Sequence, residues 1–202
     1  MNVSDDAVSA KIAEQAEHLR AELERTRHDY ERIMLHLSHL SATVTDKSKR
    51  TAMELMATVV ATDYELKVLL LRDLEEPHDR EVWEKYLALV MWATVEELPP
   101  RVGQDSVIAG KALKDSLKPV RSDQAFMKAL GDIRNRVAAH RDVTNGDHWL
   151  AQWHLSAISN KHNTRTVLQS KIVAYAGTVL DALRALGRVL LREHPDMLPE
   201  RE

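Results

Sequence analysis

Glycine and proline, the two residues that most readily interrupt a helix, are both absent from residues 1–76. A run of that length without a breaker restricts the chain to long helices from the outset. Within it, Ile12, Ala16, Leu19, Leu23, Tyr30, Ile33, Leu37 and Leu40 recur at three- and four-residue steps. That spacing lines one face of an α-helix. Residues 1–45 are therefore expected to form a long amphipathic helix. Its dense charge, including Glu22, Glu24, Arg25 and Arg27, suggests a solvated face or a helix projecting from the main body.

The remaining breakers divide the chain further. A polar stretch over Ser41–Lys47 precedes a second helix from about Ser48 to Leu74, which Pro77 closes. A third is expected from about Asp79 to Leu98, with Trp83, Tyr86, Val90 and Val95 as its buried stripe. Pro99-Pro100-Arg101-Val102-Gly103 should stop that helix. A shorter helix from about Gln104 to Leu117 should end ahead of Pro119, and Ser122-Asp123 can cap the next one. After a turn at Asn145-Gly146-Asp147 and a polar loop at Ser159–Asn163, a last helix runs from about Thr164 to Glu193. No segment alternates as a strand does. The expected class is all-α, an antiparallel bundle of four to five main helices over residues 46–194, with 195–202 as a tail.

Composition narrows the function. With 44% hydrophobic and 29% charged residues, the chain has a globular rather than a disordered balance. It contains no cysteine, which excludes disulfides, thiolate zinc sites and a Cys nucleophile. No stretch approaches the ~18 uninterrupted apolar residues of a membrane helix, and the acidic start Asp5-Asp6 lacks a signal core. A cytoplasmic location without membrane association is the expectation. No Walker-type Gly-Lys loop, Gly-rich dinucleotide turn or His-Glu-x-x-His pattern is present, so no cofactor or metal is expected. Charge is unevenly distributed. Residues 1–100 carry 12 Lys/Arg against 20 Asp/Glu, whereas residues 101–145 carry 9 against 5. Such a basic segment can attract a polyanion, or it can dock on the acidic half of its own fold.

The basic segment holds the most informative motif. Phe126, Leu130, Ile133 and Val137 form a core stripe, and a further step of three reaches His140. On that ground alone His140 can simply end a buried stripe. The string Ile133-Arg134-Asn135-Arg136-Val137-Ala138-Ala139-His140-Arg141-Asp142, however, contains an Arg, a polar residue, four further residues and a His. In an all-α setting it resembles the signature of the HEPN superfamily, and its Ala-His-Arg-Asp ending is similar to the branch tied to abortive infection in phage defence.

The resemblance implies metal-independent RNA cleavage by a toxin-like effector, in phage defence or stress response, with an antitoxin or another defence-system protein as the expected partner. It implies that His140 transfers a proton at the ribose 2′-hydroxyl or the leaving 5′-oxygen, that Arg134 holds the scissile phosphate, and that Asn135 orients one of them. Arg136, Arg141 and Lys128 would contact flanking phosphates or, alternatively, form surface salt bridges with Asp132 and Asp142. A HEPN-like scaffold without catalysis, serving dimerisation or nucleic-acid binding, is the second reading. Spacing adds a condition. On a straight helix Arg134 and His140 lie about 120° apart, so the pair needs a helix end near Ala139 or a second subunit. HEPN domains commonly dimerise, and a homodimer is the expectation.

Two further groups have bland readings beside functional ones. His36 and His39 share a helical face and can begin a metal site, but they lack a third ligand and more readily serve as a polar face. Trp149 and Trp153 can stack RNA bases, yet are expected chiefly as core plugs against the last helix.

Overall fold

The structure is a computed structural model and describes residues 3–138 and 164–197. Among the described residues the fold is all-α, without strands. The long N-terminal helix is present as α1, Val3–Thr43. It turns back through a tight corner into α2, Lys47–Glu75, where Asp46 Oδ1 accepts the backbone N–H groups of Ser48 and Lys49 at 2.8 and 3.2 Å. That cap satisfies two of the donors that every helix start leaves unpaired. Arg50 clamps the corner by donating to the Val44 carbonyl oxygen.

The two helices lie antiparallel. Arg20 Nε reaches Glu75 at 2.9 Å, and the rings of Tyr30 and Tyr64 stack 4.2 Å apart. Turns of α1 before Arg20 thus reach beyond the end of α2. The helix is part of the bundle, with Ala16, Leu23 and Leu37 buried and Leu19 packed on the core. Near the open end of the seam, close to Arg20, sits a polar layer. Lys67 is almost wholly buried, and its Nζ lies 2.9 Å from Glu22 and 2.6 Å from Asp63.

Helix α3, Arg80–Trp92, differs from expectation in the face it buries. Val95, in the turn beyond it, is buried as expected, but within α3 the core residues are Leu87, Ala88 and Met91, whereas Tyr86 is 44% exposed and Trp83 is only partly covered. Both sets of positions satisfy helical spacing. Trp83 packs at the edge of the core and donates its indole N–H to Glu76 at 2.9 Å.

The proline pair does not end the helical path. A π turn, Ala93–Glu97, leads straight into α4, Leu98–Asp105. Pro99 and Pro100 therefore occupy the first turn of α4, where missing N–H donors cost little. In continuous α-geometry their rings would meet the carbonyls of Val95 and Glu96, four residues back. The wider π turn relieves that crowding.

Ser106 then caps α5, Val107–Arg121, its Oγ accepting from Ala109 N at 3.1 Å. Pro119 lies inside α5 rather than beyond it. It forgoes the backbone hydrogen bond that its position would give to the Asp115 carbonyl, and buried Leu117 and Val120 hold the turn in place. Asp123 caps α6, Gln124–Ala138, accepting from Phe126 N at 3.0 Å. The last helix, α7, is Thr164–Glu193, matching the expected span. It packs chiefly on α5 and α2, with Ile172, Val179, Leu183, Leu186 and Leu190 buried. The tail begins with a short 3-10 turn, Pro195–Met197, whose Met197 joins the core.

With α3, the π turn and α4 taken as one continuous rod, the described residues form six helical rods, the long α1 and five more within residues 46–194. One core of Leu, Met, Val, Ile and Phe side chains runs through them.

Candidate functional site

Helix α6 carries the first half of the motif and is held at its start by an unusually well-connected carboxylate. Asp123 caps the helix and also accepts from the Tyr175 hydroxyl at 2.9 Å and from Lys171 Nζ, both on α7. The Lys171 hydrogen bond, with the Phe126 amide, lowers its pKa to about 2. One face of α6 is sunk in the core through Phe126, Leu130 and Ile133, all fully buried. The Phe126 ring meets Tyr175, 4.7 Å between centroids. Gly131 lies under the Trp92 ring, so closely that an added Cβ would come within 3.0 Å of it. The helix is pinned by cap, core and ring before it reaches the motif.

Arg134 follows Ile133 and turns outward. Its side chain is 43% exposed, and its guanidinium lies 3.5 Å from Glu97 Oε1 and 3.4 Å from Asn135 Oδ1. Both contacts are at the long edge of hydrogen-bond geometry. Asn135 is itself exposed. The two motif residues therefore stand together at the surface, presenting a guanidinium fork beside an amide. Such a pair can hold an anionic oxygen group.

Glu97, 55% exposed, comes from the π turn and also lines a cleft of about 370 Å³ with Thr58, Thr62, Glu65, Thr94 and Arg101. Arg134 reaches the rim of that cleft through Glu97. Sequence reasoning did not single out Glu97. The only local signal was its place in Glu96-Glu97 directly ahead of Pro99-Pro100, and nothing local pairs it with a residue 37 positions on.

Lys128 is exposed and forms no ion pair among the described residues. The side chain of Arg136, and His140, Arg141 and Asp142, lie outside the described residues, as do Trp149 and Trp153. Helix α6 is unbroken from Gln124 to Ala138. Among the described residues His36 and His39 do not meet a third ligand. No group of three metal-ligating side chains occurs among the described residues, and His36 Nε2 is buried without a hydrogen-bond partner there.

A second, larger cleft of about 690 Å³ lies between α1, α2 and α7. Its walls include Ile33, Met56, Val60 and Leu191, and the Lys67 layer borders it. There burial pushes Glu22 up, but the Lys67 hydrogen bond and the charges of Lys67 and Arg184 outweigh it and hold the carboxyl below its ordinary value. Its cations are paired with its carboxylates, although the buried Asp63 Oδ1 accepts no hydrogen bond among the described residues. No helix among the described residues is long and apolar enough to cross a membrane. Compared with protein-family models, curated proteins and solved structures, the chain matches none.

Proposed function

We propose that this chain is a HEPN-like, metal-independent endoribonuclease, a toxin-like effector in phage defence or stress response that acts as a homodimer. The observation that carries the reading is Arg134, half-exposed beside Asn135 on a helix whose opposite face is buried. In this reading the RNA supplies its own nucleophile. The 2′-oxygen attacks the phosphorus, the bond to the 5′-oxygen breaks, and a 2′,3′-cyclic phosphate and a 5′-hydroxyl result. His140 takes the proton from the 2′-hydroxyl or gives one to the leaving oxygen, and an imidazole with an ordinary pKa near 6.5 suits both directions. Arg134 offsets charge developing on the phosphate, and Asn135 orients the reacting groups.

The alternative is a HEPN-like scaffold for dimerisation or nucleic-acid binding without catalysis, and one contact favours it. Glu97 already engages the Arg134 guanidinium, and a phosphate must displace that carboxylate.

Incubation of the purified protein with RNA in EDTA separates the readings. The wild type should cleave and leave cyclic phosphate ends. His140→Ala should lose about 10²-fold or more of the rate, and Arg134→Ala a comparable amount. Intact RNA across several RNA types would leave the scaffold reading, and equal cleavage by both variants would expose a contaminating nuclease.

A further inference from the structure

Helix α5 carries a row of four cations, and three of them form no ion pair among the described residues. Lys111, Lys114, Lys118 and Arg121 are spaced three, four and three residues apart and are all exposed. That spacing puts them in one line along the helix, neighbours being about 5–6 Å apart at their Cβ atoms. The opposite face, Ala109, Leu113, Leu117 and Val120, is in the core. Among the described residues the cations of the basic segment meet carboxylates at two points, where Arg121 Nε lies 3.3 Å from Glu96 and Arg134 lies 3.5 Å from Glu97. Lys111, Lys114 and Lys118 form no ion pair among the described residues, although Asp115 lies on the same helix.

The row also has a direction. At its start, Val107 and Ile108 are 79% and 67% exposed, an apolar step at the first turn of α5. At its end, Arg121 and Arg134 grip consecutive carboxylates of the π turn. A polyanion lying on the row is thereby led to the motif.

We propose that the Lys111–Lys114–Lys118 row is a phosphate track that binds single-stranded RNA and delivers it to Arg134. The inference rests on the RNA reading above for the identity of the polyanion, and adds the surface that holds the strand. A row one residue wide matches consecutive backbone phosphates, and Val107 and Ile108 offer an unstacked base an apolar surface. A lipid surface fits less well. Helices that lie on membranes expose a broad apolar face beside their cations, and the apolar face of α5 is already buried.

The test is a fluorescence-anisotropy titration of the full chain, carrying Arg134→Ala to keep the RNA intact, with an unstructured RNA of about 20 nucleotides. Adding Lys111→Gln, Lys114→Gln and Lys118→Gln together should weaken binding about tenfold or more at low salt. It should also flatten the slope of log affinity against log salt by about 2, the loss of three phosphate contacts on a single strand. A control with Lys11→Gln, Arg25→Gln and Arg27→Gln, all on the exposed surface of α1, should bind as the parent does. Unchanged affinity and slope in the α5 triple variant would overturn the track, as would lysine-dependent partition onto phosphatidylserine vesicles with no RNA binding. The two readings fail separately. RNA binding lost in the triple variant upholds the track even if the wild type cleaves nothing. Cleavage by the wild type with undiminished binding by the triple variant removes the track and leaves the nuclease.

Discussion

A single residue, Asp123, ties the motif helix to the rest of the molecule, and its chemistry predicts how that tie responds to pH. Its carboxylate caps α6 and binds Lys171 and Tyr175, which holds the pKa at about 2, below the ordinary value of 3.8. A carboxyl whose folded pKa is depressed contributes stability that is present above its unfolded pKa and lost as pH falls through the folded one. Asp123→Ala should therefore cost about 2 kcal/mol at neutral pH, combining a lost cap with a lost charge-assisted bond. Asp123→Asn, which can still cap, should cost less. In urea titrations both differences from wild type should shrink as pH is lowered from about 4 towards 2. A cost of Asp123→Ala that persists undiminished at the acid end would show that the carboxylate charge contributes nothing.

At the scale of elements, the α4–α5 corner turns on two glycines with opposite roles. A Cβ on Gly110 would fall 2.6 Å from the Cα of Gly103, a backbone atom that cannot swing aside. A Cβ on Gly103 would meet nothing within 4 Å. Gly110→Ala should thus destabilise by about 1–3 kcal/mol through overpacking. Gly103→Ala, within α4, should stabilise by about 0.5–1 kcal/mol through helix propensity. Thermal melts of the two variants, moving in opposite directions, would verify the corner; a shared direction would refute it. The corner also shows where sequence reading stopped short. The last helix and the Asp123 cap were legible because their signals are local: a continuous apolar stripe, and a carboxylate three residues before the amide it accepts. Pro99, Pro100 and Pro119 misled because the cost of a proline depends on its position within a turn. Neighbouring elements decide which turn it occupies.

For the whole molecule, the Lys67 layer is the polar joint of the three longest helices. Lys67 of α2 meets Glu22 of α1 and Asp63, and Arg184 of α7 closes on Glu22 at 3.3 Å. A polar layer in an otherwise apolar seam penalises any sliding of one helix past another, because a shifted register buries unpaired charge. Replacing Lys67 with Met should cost about 2–3 kcal/mol, at or below the low end for a broken buried pair because Arg184 remains. Replacing Glu22, Asp63 and Lys67 together with Leu should recover most of that loss in urea denaturation. Failure of the triple to recover would mean that the layer contributes net stability as well as register.

By itself the sequence determined the all-α class, the long N-terminal helix, the span of α7 and the presence of Arg134 and Asn135 on the helix that follows Asp123. Those features follow from periodicity and capping, which act over a few residues and need no partner. Only the tertiary structure decided which face of α3 is buried and that the proline pair opens α4 behind a π turn. It alone brought Glu96 and Glu97 to Arg121 and Arg134. The basic surplus of residues 101–145 shows the division most clearly. Composition left it equally free to pair internally or to face outward, and packing resolved it unevenly. Two arginines meet the carboxylates of the π turn, while the lysines of α5 stay in solvent because that helix has spent its other face on the core. Which cations find a carboxylate depends on contacts between residues far apart in the chain, and no local pattern encodes those.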